Sequence, residues 1–354
     1  MANAQAFWVS LYSENRGTRM RNTRLLSAIA AIAFGGLSTL TASAADTNIS
    51  FVLNWFPTAD HSPYYFAREQ GWYAEAGLAV DIETAKGSGA SSQRVAAGQA
   101  DMGVADLPTA LIAKGKGADI TAVMAVYANS PQGFYWRKSA SGITGPKDFP
   151  GHSIGNPPGD AARVMWPAFA QAVGIPVDSV KFVNIAPQAK MPSLMSGRID
   201  IMSDFYNGHD LKLREIGDDM GFVAWRDVGV NPYGNSIFVN NAFLKQNPDA
   251  VAKFVAITQK AFHACAVDHM PCIDALLKNV SGLDRQAQID QWGRVEELMT
   301  TDATRTIALG YLDPAGMDKS YALVDKYFSL EKPFDVKTAY TNEFLSKDIT
   351  VPAK

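Results

Sequence analysis

The chain has 354 residues, 47% of them hydrophobic and 10% aromatic, with a formal net charge of -3. Such a composition is ample for a buried core, and a near-neutral balance without long charge runs excludes the basic footprint of a nucleic-acid or anionic-membrane binder.

At the N-terminus, Arg16, Arg19, Arg21 and Arg24 precede an apolar run over 25–40, and Ala42-Ser43-Ala44 offers the small residues a signal peptidase cleaves after. The mature chain is therefore expected to begin at Ala45 or Asp46, with residues 1–44 a leader for export. Met20 suits the start of that leader better than Met1, because the residues between carry Trp8, Tyr12 and Glu14. An anchoring helix is the alternative, but the run is broken by Gly35 and Gly36 and is shorter than the roughly 20 apolar residues a membrane span needs. The remaining chain of about 310 residues exceeds the usual size of one core and predicts two lobes.

Strand and helix then alternate. Residues 49–55 read as a strand, 63–70 as a short helix stopped by Gly71, and 79–84 as a second strand. The stretch GSGASS, residues 87–92, reads as a loop in which Ser91 and Ser92 cap a helix, followed by a buried strand over 102–105. A helix over 107–114 ends at glycines, and 120–127 is a fourth strand. The pattern restarts with strand 152–155, helix 160–173, strand 180–183, helix 187–196, strand 199–202 and helix 207–216. A strand at 237–239 precedes a helical remainder. Alternation at this spacing predicts parallel sheets with helices on their faces, and two such units predict a second lobe inserted into the first. The crossings are placed near Gly133 and Gly234, giving lobe 1 as residues 46–133 plus 237–354 and lobe 2 as residues 134–236. Glycine beside an extended segment suits a hinge, although an ordinary strand-end turn accounts for it equally well.

Cys265 and Cys272 lie close together in HACAVDHMPC. In an oxidising compartment such a pair is expected to form a disulfide, with Pro271 breaking the helix between them. The alternative, zinc held by His263, Cys265, His269 and Cys272, does not match the paired spacings of structural zinc sites, so no metal is expected.

Ligands of open α/β sheets sit beyond the carboxyl ends of strands. That rule selects Asn54, Trp55, Asp60 and His61 after the first strand, the segment with Ser88, Gly89, Ser91 and Ser92 after the second, and Asp106 after the third. In lobe 2 it selects Gly159 and Asp160 at a helix start and Asp204, Phe205, Tyr206 and Asn207 after a buried strand. Tyr233 and Asn235 lie at the return crossing. Trp55 is either core or a flat platform for a ring. Asp60 is either a helix cap or a ligand contact, and His61 either a hydrogen-bonded structural group or a contact. Asp106 and Asp204 facing one cleft would repel an anion and hold amino groups. Arg163 and Lys190, on expected solvated helix faces, remain as anion partners.

The segment LNWFPTADHSPYYFAREQGWYAEAGLAVDI, the GSGASS stretch, QADMGVADLPTALIAKGKG and SGRIDIMSDF together resemble the periplasmic solute-binding proteins of the nitrate, sulfonate and taurine uptake systems. Within them they are most similar to the thiamine-pyrimidine-precursor branch, which includes a yeast pyrimidine synthase. The resemblance spans roughly residues 48–248. It implies a two-lobed periplasmic binding fold of type II that closes by hinge motion and delivers its ligand to the membrane permease of an ATP-driven importer. It also implies pocket roles for Asn54, Trp55, Asp60, His61, residues 88–92, Asp106 and residues 204–207. The synthase carries a cysteine-rich iron motif, whereas this chain has two cysteines, so neither enzymatic activity nor a cofactor is expected. No lipobox cysteine follows the leader, so the mature chain is expected to be free in a periplasm, and a monomer is expected. The expected ligand is a thiamine-related aminopyrimidine, with a sulfonate, nitrate or other aromatic compound as the alternative. A sensor that presents its closed form to a membrane receptor would use the same pocket. An enzyme using His61 and Ser62 lacks every supporting signature.

Overall fold

A computed structural model describes residues 46–353, so the expected leader lies outside the described residues. In chain order the strands are β1 (Thr47–Leu53), β2 (Leu78–Thr84), β3 (Met102–Asp106), β4 (Ile120–Ala125), β5 (Gln132–Arg137), β6 (Ser153–Asn156), β7 (Lys181–Asn184), β8 (Ile201–Phe205), β9 (Met220–Ala224) and β10 (Asn235–Asn240). They form two five-stranded sheets with orders β2-β1-β3-β10-β4 and β7-β6-β8-β5-β9. The second sheet is built wholly from the segment between β4 and β10, so one lobe is inserted into the other.

The sheets are mixed rather than parallel. β1 runs parallel to β2 and β3, and β6 to β7 and β8, but β10 is antiparallel to β3 and β4, and β5 to β8 and β9. The two reversed strands are the ones that arrive directly from the other lobe. Hydrophobic alternation marks a strand without marking its direction, which is why the reading assigned parallel sheets. The same strands explain a second correction. Gly133 is not a turn but lies inside β5, paired with Asp204 and Ala224, while β10 begins at Asn235. The crossings fall at 126–131 and between β9 and β10. There they touch: Gly234 N–H donates to Tyr127 O at 2.9 Å, and a Cβ on Gly234 would lie 2.5 Å from Pro131 Cδ.

Lobe 2 is centred on interlocked rings, with Phe134 within 6 Å of Phe149, Trp166, Phe169 and Trp225. Lobe 1 packs Phe51 against Tyr64 and against Phe254 of the Pro248–Val267 helix. Cys265 and Cys272 are joined by a disulfide, which leaves neither thiolate free for zinc, and His263 Nδ1 instead meets Thr350 O at 2.7 Å. The helix break between them falls at Asp268 and His269. Pro271 occupies the first turn of the next helix, Met270–Asn279, where its missing N–H costs no hydrogen bond. The Arg285–Met299 helix buries Trp292, Val295 and Leu298 against lobe 1 while Arg294 reaches across to lobe 2, gripping Asp210 through Nε and Nη2 at 2.8 and 2.9 Å. Among the described residues no helix is long and apolar enough to cross a membrane.

Candidate functional site

Between the sheets lies a cavity of about 390 Å³ lined by both lobes and by the start of the Arg285–Met299 helix. The β1 end supplies Asn54, Trp55, Asp60 and His61. Asn54 Nδ2 donates to Asn235 Oδ1 (3.0 Å), and Asn235 Nδ2 to Asp60 Oδ2 (3.2 Å). His61 Nδ1 accepts the Thr58 N–H at 3.1 Å, so the ring proton sits on Nε2 and is donated to Asn54 Oδ1 at 3.2 Å. Burial lowers the His61 pKa despite the neighbouring Asp60, so the 3.3 Å approach of Asp60 Oδ1 to Nδ1 is contact with a neutral ring. With both ring nitrogens committed, neither is left to activate Ser62.

Residues 88–92 are helical, not a loop. The Ser88–Ala96 helix starts directly after Gly87, whose φ of 118° is open to glycine. Within it Ser88 lines the cavity and accepts the Asp106 N–H at 2.9 Å. Ser91 faces the sheet, donating to Val104 O at 2.6 Å, and Ser92 is buried outside the cavity wall. The Gly89 N–H, expected to meet a ligand, instead donates to Gly159 O of lobe 2 at 3.0 Å. A Cβ on Gly87 would stand 2.2 Å from that same oxygen, so the lobes close here backbone to backbone.

Asp106 sits behind the wall, where its carboxylate accepts from Gln132 Nε2 at 3.2 Å. Burial pushes its pKa up to about 7. It does not face Asp204 as one of a bare pair, because the lobe 2 acids are partnered by lysines. Asp160 Oδ2 meets Lys190 Nζ at 3.0 Å while Oδ1 caps the next helix at Ala162 N–H and accepts from Ser203. Asp204 meets Lys212 Nζ at 2.8 Å. Burial opposes charge on Asp204, but Lys212 and Lys190 together hold its carboxyl below the ordinary carboxylate range.

Lys190 is buried rather than solvated, and its Nζ lies 4.6 Å from the centre of the Trp55 ring. Arg163 is outside the wall, hydrogen-bonded to Asn184 and set over Phe182. Phe205 and Asn207 line the cavity, as do Asp160 and Asp204. Tyr206 does not: its hydroxyl accepts from Arg294 at 2.8 Å. Tyr233 is also elsewhere, its hydroxyl accepting the Asp313 N–H at 2.8 Å.

Sequence reasoning missed Gln132, Lys212, Gln288 and Gln291 of the wall. Three had a legible signal. Lys212 and Ile216, four apart, share the buried face of their helix, and Gln288 and Gln291 fall on the stripe that buries Trp292 and Val295. A polar residue on an apolar stripe is the mark of a wall rather than a core.

The architecture is that of periplasmic binding proteins. The alkanesulfonate-binding protein SsuA of Xanthomonas axonopodis pv. citri, 14% identical, superposes with a TM-score of 0.66 over 85% of this chain and 100% of its own. Residues 58–269 match the model of the NMT1/THI5-like family, and the chain belongs to that family. Its relatives include the formylaminopyrimidine-binding protein of Halalkalibacterium halodurans, 24% identical over 73% of this chain and 80% of that one, and the riboflavin-binding protein RibY of Chloroflexus aurantiacus, 24% identical over 84% and 86%. A 4-amino-5-hydroxymethyl-2-methylpyrimidine phosphate synthase of Saccharomyces cerevisiae is 23% identical over 84% of this chain and 88% of its own.

Proposed function

We propose that this chain is the periplasmic solute-binding component of an ATP-driven importer, and that it holds a small amino-bearing nitrogen heterocycle of the thiamine-precursor type. The observation that carries the reading is the wall chemistry. The Trp55 ring lies in a cavity whose lining includes five carboxyl groups (Asp60, Asp160, Asp204, Glu215 and Asp284) against two ammonium groups (Lys190 and Lys212). A flat aromatic face suits a ring, and the surplus of acid favours amino groups over a free anion. A volume of about 390 Å³ is near the small end of the range for small-molecule sites, roughly 300–1,000 Å³, which suits one ring better than a fused three-ring system with a side chain. The name of the formylaminopyrimidine-binding relative agrees with this chemistry, and that of the riboflavin-binding relative shares only the nitrogen heterocycle.

Lobe 2 would swing about residues 126–131 and the segment before β10 as a monomer opens and closes, and the closed form would dock on a membrane permease. Catalysis is not part of the reading, since His61 is fully engaged and the two cysteines are bonded. A second reading, a sulfonate or carboxylate ligand, is favoured only by Lys190 and Lys212. Thermal shift and calorimetry with 4-amino-5-hydroxymethyl-2-methylpyrimidine, riboflavin, an alkanesulfonate and nitrate decide between them. Stabilisation by the aminopyrimidine alone is expected. Stabilisation by the sulfonate alone would overturn the reading and move the lysines to its centre.

A further inference from the structure

The inward stripe of the Arg285–Met299 helix carries three polar residues in succession, and two of them are committed. Gln291 Oε1 faces Asn207 Nδ2 at 3.4 Å across the lobes, and Glu296 Oε1 accepts the indole N–H of Trp292 at 2.9 Å. Gln288 differs. It is 3% exposed, lines the cavity, and its side-chain oxygen has no hydrogen-bond partner. A buried carbonyl oxygen without a donor is disfavoured, and because this oxygen is itself covered, a turn of the Gln288 amide that brings it to the cavity would give it the donor it lacks. Asn54, by contrast, is held on both sides of its amide, and Gln132 is tied to Asp106. Neither can turn to a ligand without breaking a buried bond.

We propose that Gln288 is a specificity-determining residue whose side-chain carbonyl accepts a hydrogen bond from the exocyclic amino group of the bound heterocycle. This rests on the functional reading above and adds to it the atom that tells an amino-bearing ring from its deaminated counterpart. The geometry has a mechanical consequence. Gln288 stands on the helix that packs on lobe 1 and grips Asp210 of lobe 2 through Arg294, so a ligand bonded to Gln288 is fixed to the element that spans the cleft.

The test is a cycle of two proteins and two ligands, read by calorimetry: wild type and Gln288→Leu, each with 4-amino-5-hydroxymethyl-2-methylpyrimidine and with 5-hydroxymethyl-2-methylpyrimidine. Leucine keeps the volume and removes the acceptor. Wild type is expected to prefer the amino compound by about tenfold or more, and Gln288→Leu to bind the two alike, since a lost hydrogen bond to a buried group shifts affinity on that scale. The ligand-free melting temperature of the variant should hold or rise, because an unpaired buried polar group has been removed. An equal loss for both ligands, or a fall in that melting temperature, would assign Gln288 a structural role and overturn the proposal. Full retention of the amino preference in Gln288→Leu would also overturn it while leaving the functional reading intact. Binding of neither pyrimidine by wild type would remove the functional reading itself.

Discussion

The two lobes meet the cavity with opposite chemistry. Lobe 1 presents a hydrogen-bonded network of Asn54, Asn235, Asp60 and His61, in which burial holds His61 in its uncharged form, and the Asp106 carboxyl behind the wall is pushed up to about 7, also by burial. The lobe 2 wall is ionised, with Asp160 paired to Lys190 and Asp204 to Lys212. A buried charge is tolerated only with a partner, whereas a neutral hydrogen-bonded network needs only its bonds made. The lobe 1 wall is therefore a fixed template, and the lobe 2 wall holds its shape through charges that are strong only while water is kept away. Closure of lobe 2 on lobe 1 is the step that would remove that water.

The difference predicts where the protein is most easily broken. Lys190→Met leaves the Asp160 carboxyl without its lysine in a site where its side chain is 9% exposed, and loss of one partner of a buried pair costs about 3–5 kcal/mol. Urea denaturation should register that loss, and Lys190→Met combined with Asp160→Asn should recover most of it. A loss within about 1 kcal/mol, the scale of a surface pair, would mean that the lobe 2 wall is not held by charge.

Trp55→Ala tests the template side with a smaller effect. The ring is partly exposed at the cavity, and stacking is worth on the order of 1 kcal/mol beyond burial, so the dissociation constant for the aminopyrimidine should rise about tenfold. Because Lys190 Nζ lies over the same ring, stability must be measured alongside. A fall in stability with unchanged affinity would make Trp55 a seat for the lysine rather than for the ligand.

The same contrast separates what the sequence could and could not convey. Asn54, Trp55, Asp60 and His61 lie within one eight-residue stretch after a strand, so the strand-end rule reached all four at the cavity. The lobe 2 acids were also reached, but Lys190 was placed on a solvated face as an anion partner and Lys212 was not named, because Asp160 and Lys190 stand thirty residues apart and no local pattern links them. That omission hid two ion pairs and made the cleft read as more acidic than it is. The two-lobed architecture was legible from the repeated strand–helix alternation, while β5 was not, since the extended segment at Gly133 was taken for the crossing itself. The third wall was missed for another reason: Gln288 and Gln291 fall on the apolar stripe of the Arg285–Met299 helix, but only tertiary packing sets that part of the stripe against a cavity.

The effect spread over the widest pH range concerns Asp106, and its sign follows from linkage. The folded-state pKa of about 7 lies above the ordinary carboxyl value near 3.9, so between those limits the unfolded chain is ionised while the folded chain keeps its proton. The native state then binds more protons than the unfolded state. Stability from this group is complete below about pH 4 and declines as pH rises to about 7, by at most about 1.4 kcal/mol per unit. Above that the curve flattens. Asp106→Asn removes the titration and leaves an oxygen to accept from Gln132, so the variant should match wild type near pH 4 and exceed it at pH 7.5. Denaturation midpoints from pH 4 to 8 provide the check. Parallel curves for the two proteins would show that Asp106 is already ionised in the folded state, and His61 would then be the group of lobe 1 that burial keeps uncharged.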